Sequence, residues 1–245
     1  MNDLQSREYT HLWRPYTDIA SYERGPWTLI ERGAGIHLIT QDGRRILDGI
    51  SSWWSVALGH GRREILDAIC AQSERLQHSI LGTLTHAPAI ELATKLAALT
   101  GNALPHAYFA SDGSSVVDAA LKMAAQYWAL RGQPKKRRFI ALDEAYHGDT
   151  LGAIGVGYTS WFQEPYGGLV QPSLQAPSPW SPSMQAAEQV QRALDGMQAL
   201  LEAHAGEVAG VVIEPLVQAA GGIRIYPAEY LRELRGLCNE FEVLL

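Results

Sequence analysis

The chain has 245 residues, 47% apolar and 19% charged, with a net charge of −6. That length suits one large domain or one and a half, and the apolar share excludes a globally disordered chain. The mild acidity excludes a general nucleic-acid binder, which carries a basic face; the one basic run, Lys135-Lys136-Arg137-Arg138, reads as a solvated turn before a strand.

Residues 1–26 are polar and aromatic and have neither the basic start nor the apolar core of a signal peptide. No apolar run approaches bilayer length, so a soluble cytoplasmic protein is the default expectation. Trp27–Arg32 and Ile36–Thr40 read as strands, and Asp42-Gly43 before Arg45–Leu47 is a hairpin turn signal. Residues 1–60 are therefore expected to form the N-terminal segment of a small domain with short antiparallel strands. Helices follow over 63–79 and over 87–99, the second with Pro88 in its first turn and Gly101 beyond its end.

The rhythm then changes. Ala107–Ala110 reads as a strand, 116–131 as a helix closed by Gly132, and Phe139–Leu142 and Gly210–Ile213 as strands. Pro227 opens a helix to about Glu240, and Val243-Leu244-Leu245 starts one more strand. This alternation predicts an α/β domain over 61–245, with a mostly parallel sheet flanked by helices. The Pro- and Ser-rich stretch 171–184 reads as a long loop. Cys70 and Cys238 lie far apart in helix-like segments and read as reduced thiols in or near the core, neither a disulfide framework nor a metal site.

Open α/β sheets bind ligands beyond the carboxyl ends of their strands. Three segments stand there. Ser111-Asp112-Gly113-Ser114-Ser115 precedes a long helix. Glycine permits close backbone approach and a helix N-terminus offers free N–H groups, which together make a phosphate cradle. A plain helix cap, with Ser115 and Asp118 as a capping box, is the structural alternative. Asp143 to Thr150 sets Tyr146, His147 and Asp149 around Gly148, a group suited to stacking on a planar ligand; a capped helix start is the alternative. Glu214-Pro215 ends a buried apolar run, where a carboxylate needs a partner or a ligand; a structural pairing with an arginine is the alternative.

Upstream, Trp13-Arg14-Pro15-Tyr16 and Ser51-Ser52-Trp53-Trp54 are rich in large rings for loops. On a strand, adjacent tryptophans would face opposite sides, one in the core and one lining a pocket.

In this order, the Gly-Ser loop, Tyr146-His147-Gly148 and Glu214-Pro215 with its Gly221-Gly222 loop resemble the class III, fold-type I pyridoxal-phosphate aminotransferases. Trp13 to Thr17, Asp48 to Trp54, Thr85 to Leu92 and Tyr146 to Thr150 are similar to the branch that serves biotin biosynthesis. The resemblance covers essentially the whole chain. It implies that Gly113 and Ser114 hold the phosphate of pyridoxal 5'-phosphate through backbone N–H groups. It implies that Tyr146 stacks on the pyridine ring and borders the substrate, and that Glu214 sits close to the cofactor. Tyr16 and Trp53 would line a pocket for a long aliphatic amino-ketone, and Asp149 would lie near the amino groups. The implied reaction passes an amino group from S-adenosylmethionine to 8-amino-7-oxononanoate, giving 7,8-diaminononanoate, in a cytoplasmic homodimer.

Three departures stand out. The loop reads Ser-Asp-Gly-Ser-Ser where relatives commonly have Ser-Gly-Ser or Ser-Gly-Thr, and Asp118 stands where many have Glu. The family's chemistry also needs a lysine that attaches the cofactor covalently. Lys95, Lys122, Lys135 and Lys136 are the chain's four lysines, and none follows a strand in the expected region. The reading is therefore an N-terminal part of such an enzyme, inactive alone. The alternatives are another class III enzyme acting on an ω-amino acid or diamine, and a non-catalytic module holding a phosphate ligand. Neither a Gly-Lys-Ser/Thr loop nor a G-x-G-x-x-G is present to favour the latter.

Overall fold

The computed structural model describes residues 3–157 and 163–245. Its contacts divide the chain into two compact units, Met1–Lys95 and Leu96–Leu245.

In the first unit, helices α1 (Asp3–His11) and α2 (Ile19–Arg24) precede the strands β1 (Ile30–Ala34), β2 (His37–Thr40) and β3 (Arg45–Leu47). The strands form an antiparallel sheet in the order β1-β2-β3. Asp42 stabilises the β2–β3 turn by accepting hydrogen bonds from Thr40 Oγ1 and Arg44 Nε, while Gly43 supplies the positive φ of 83°. A tight turn α3 (Ser51–Trp54) and helices α4 (Arg63–Arg75) and α5 (Ala87–Leu99) follow, α5 running across the division.

The second unit holds α6 (Gly113–Leu130), β4 (Arg138–Leu142), α7 (Leu151–Val156), a 3-10 turn (Glu164–Leu169) and β5 (Leu174–Ala176). It continues with α8 (Ala186–His204), β6 (Val208–Val212), the two-residue strands β7 (Val217–Gln218) and β8 (Arg224–Ile225), and α9 (Ala228–Glu240). The main sheet is parallel, ordered β5-β4-β6. Leu244 extends it by a parallel bridge to Gly210. Ile140, Ala141 and Leu142 are wholly buried, as β-branched and aliphatic residues of a sheet covered on both faces should be. Ala193, Met197 and Leu201 of α8, and Tyr230, Leu234 and Cys238 of α9, recur every four residues and bury one face of each helix in the same core. Each large aliphatic side chain so buried stabilises the unit by about 1.5–3 kcal/mol. Trp128 Nε1 donates to the carbonyl of Ala209 at 2.7 Å and ties α6 to β6.

Several expectations need correcting. Residues 107–110 form no strand; no ladder pairs them, and Tyr108 is 63% exposed. α4 ends at Arg75, short of residue 79. α6 starts at Gly113, before the expected 116, because Asp112 caps it by accepting from Ser115 N. The basic run is not wholly solvated: Lys136 is only 6% exposed, lies 3.9 Å from the centroid of the Trp128 ring and donates to the carbonyl of Glu242 at 2.7 Å. Cys238 is buried as expected, but Cys70 is exposed. The stretch 171–184 contains β5, and α8 was not anticipated at all. Among the described residues, no helix is long and apolar enough to cross a membrane, and no group of His, Cys, Asp and Glu could hold a metal ion.

Candidate functional site

In the second unit, the carboxyl ends of β4 and β6 and the N-terminus of α6 are joined by a continuous line of hydrogen bonds. The loop after β6 carries Glu214, whose carboxylate accepts from Tyr146 N at 3.0 Å and from Ala219 N at 2.8 Å. Its partners are thus backbone donors of two loops, not an arginine. Burial pushes the Glu214 carboxyl above the ordinary range, and the two N–H groups pull it part of the way back. Tyr146 OH donates to Asp149 Oδ2 at 2.7 Å, and Asp149 N donates to Ser114 Oγ at 3.1 Å. Four of the residues singled out from sequence, Glu214, Tyr146, Asp149 and Ser114, are brought together this way.

Gly148 makes the last link possible. Its φ is 122°, a region that side chains rarely adopt, and a Cβ there would collide with the Ser114 side chain. The 143–150 loop therefore lies directly on the first turn of α6. Gly113 opens that helix, and a Cβ on it would meet nothing within 4 Å. His147 is packed inside the loop: burial lowers its pKa to about 4, so the ring is neutral, and its Nε2 is buried without a hydrogen-bond partner. Thr150 is the N-cap residue of α7, yet its hydroxyl makes no cap bond and is likewise buried and unpaired.

Sequence reasoning missed two features. One is the Ser114–Asp149 clip, which needs knowledge of the fold to pair residues 35 apart. The other is Asp112, which accepts from Ser115 N and Ser115 Oγ at 2.8 Å each. The capping-box pattern named Ser115 as the cap; its hydroxyl instead donates to the true one.

Tyr16 and Trp53 belong to the first unit. Their rings meet edge to face, with centroids 5.6 Å apart, and both are exposed, at 63% and 54%. The expectation of one buried and one exposed tryptophan fails. Ser51 to Trp54 form no strand but a left-handed turn with φ between 49° and 64°, and Trp54 is also exposed. Such a turn of non-glycine residues is strained. Asp48 holds it by accepting from Ser52 N at 2.8 Å and Ser52 Oγ at 2.7 Å, and it also pairs with His60 Nε2 at 2.7 Å. The His60 ring sits where a Cβ on Gly33 would be.

The second unit is an α/β fold that sets a glycine-opened helix N-terminus and a tyrosine loop beyond the carboxyl ends of its parallel strands, where such folds bind ligands. Residues 19–245 match the class III aminotransferase model, and the chain belongs to that family. An adenosylmethionine-8-amino-7-oxononanoate aminotransferase of Geobacter sulfurreducens is 39% identical over 99% of this chain and 54% of that protein. The crystal structure of the enzyme of the same name from Methanocaldococcus jannaschii superposes with a TM-score of 0.90 at 35% identity, covering 98% of this chain and 54% of that one. An amine transaminase from an uncultivated Pseudomonas species, in its PLP-bound form, superposes with a TM-score of 0.88 at 30% identity, covering 96% and 55%. The chain spans about half the length of the curated relatives it matches. Pyridoxal phosphate is the cofactor of this family.

Proposed function

We propose that this chain supplies the phosphate- and ring-holding part of the aminotransferase that converts 8-amino-7-oxononanoate to 7,8-diaminononanoate with S-adenosylmethionine as amino donor. The observation that carries the reading is the hydrogen-bonded line from Glu214 through Tyr146 and Asp149 to Ser114, which sets the three segments in one arrangement.

When bound, the cofactor supplies a carbonyl to accept an amino group and a ring that acts as an electron sink. The chain's residues do the rest of the holding. Gly113 and Ser114 present backbone N–H groups to the phosphate, favoured by the partial positive charge of the helix start. Tyr146 lays its ring against the pyridine, its angle fixed because its N–H is bound by Glu214 and its hydroxyl by Asp149. Asp149, anchored through its backbone to Ser114, keeps a carboxylate oxygen near the substrate's amino groups. In the first unit, the paired rings of Tyr16 and Trp53 are proposed as an apolar surface for an aliphatic chain. Homodimeric assembly and a cytoplasmic setting belong to the same proposal and are supported by the family resemblance.

The chain alone is proposed to be inactive. Lys95 and Lys122 lie within α5 and α6, Lys135 lies in the turn before β4, and Lys136 is pinned under Trp128. The test is to mix the chain with pyridoxal phosphate, reduce with borohydride and weigh it. Reversible binding with no covalent adduct, and no diaminononanoate formed from the two substrates, is expected. A single reduced lysine adduct or measurable product overturns the inactivity.

A further inference from the structure

The helix start assigned to the phosphate already carries an anion. α6 is 18 residues long, and Asp112 occupies its cap position with an extended backbone, φ −158° and ψ 172°. One carboxylate oxygen accepts from Ser115 N and the other from Ser115 Oγ, both at 2.8 Å. These bonds, the Ser115 N–H first among them and the Ser114 N–H also contributing, hold its carboxyl below the usual range, so it is ionised at neutral pH. Ser114 N–H is one of the groups assigned to the cofactor phosphate. Ser114 Oγ is turned the other way, accepting from Asp149 N.

We infer that Asp112 competes with the cofactor phosphate for the N-terminus of α6, so that phosphate binding requires its carboxylate to be drawn off or to tolerate a second anion beside it. This inference rests on the cofactor reading above. A capping carboxylate and a phosphate both gain from the same free N–H groups and the same helix-end charge. Two anions sharing that end repel each other, and salt weakens the repulsion between exposed groups. Asp112 thereby sets the affinity of this chain for phosphate below what its backbone cradle alone would give.

The test compares the chain with Asp112→Asn and Asp112→Ser. Both replacements are good cap residues, so α6 is kept, and circular dichroism with urea unfolding checks that it is. Binding of pyridoxal 5'-phosphate and of pyridoxal, which lacks the phosphate, is measured by quenching of intrinsic fluorescence at low and high salt. Both variants are expected to bind pyridoxal phosphate about three- to tenfold more tightly than the parent chain. Pyridoxal binding is expected to be unchanged, and the gap between parent and variants to narrow in high salt. If the parent chain prefers pyridoxal phosphate to pyridoxal but neither variant improves on it, the competition is overturned and the cofactor reading stands. If parent and variants bind the two compounds alike, the phosphate is not read at α6, and both the assignment of Gly113 and Ser114 and the inference fail.

Discussion

Glu214 and Tyr146 meet through one hydrogen bond, Tyr146 N to Glu214 Oε1 at 3.0 Å, and that bond couples the loop after β6 to the loop after β4. The second carboxylate oxygen holds Ala219 N at 2.8 Å. A glutamine in place of Glu214 has one acceptor oxygen for these two donors, and its amide N–H₂ faces an N–H. Glu214→Gln is therefore expected to lower stability by about 1–3 kcal/mol, the cost of a buried donor left unpaired. Urea unfolding of the two chains checks this, and equal midpoints would count against it.

Gly148 is the position least able to accept a side chain. An alanine there suffers both the φ of 122° and the collision with Ser114. Gly148→Ala is expected to lower stability by about 1–3 kcal/mol and to weaken pyridoxal phosphate binding, because the loop must lift from α6. Full binding with an unchanged unfolding midpoint would show that the contact is dispensable.

His147 makes stability depend on pH. Burial lowers its pKa from 6.5 to about 4 in the folded chain. Between those values the unfolded chain takes up a proton that the folded chain refuses, so stability falls as pH drops from 6.5 toward 4. The sum over that window is about 3 kcal/mol. Glu214 works in the opposite sense over its own range, since its folded pKa is raised: the folded chain holds the extra proton, and stability falls as pH rises from 4.5 through that folded value. The difference between the parent chain and His147→Gln isolates the histidine. Unfolding curves at pH 7, 6 and 5 are expected to diverge less for the variant than for the parent.

The two thiols separate by burial. Cys238 is wholly buried and its pKa is pushed up to about 11, whereas Cys70 lies exposed on α4. A thiolate-directed reagent is expected to label Cys70 in the native chain and Cys238 only after unfolding. Rapid native labelling of Cys238 would mean that α9 does not pack as described.

The regular parts of this fold were legible because their signals are local. α5 begins and ends where Pro88 and Gly101 punctuate the sequence, and β4 and β6 are apolar runs whose burial leaves them few alternatives. The Tyr146 and Glu214 segments followed from those strands; the Gly113 segment was placed after Ala107–Ala110, which forms none. Misreadings came where tertiary context overrode pattern. Ala107–Ala110 is apolar enough for a strand but pairs with no strand among the described residues, and Ser51 to Trp54 are held in a left-handed turn by Asp48. Lys136 looked solvated within a charged run, yet its stem carries the ammonium onto the Trp128 ring. The cap residue of α6 was misassigned by three positions because Ser115 and Asp112 both suit a helix start, and only geometry tells donor from acceptor.

The central claim is that the N-terminus of α6 and the Tyr146 loop together hold pyridoxal phosphate. Backbone amide resonances of the isotope-labelled chain, followed as pyridoxal phosphate or pyridoxal is added, test it most directly. The account predicts that Gly113 and Ser114 shift with pyridoxal phosphate but not with pyridoxal, while Tyr146 responds to both. Shifts confined to other segments, or identical responses of Gly113 and Ser114 to the two compounds, would contradict it.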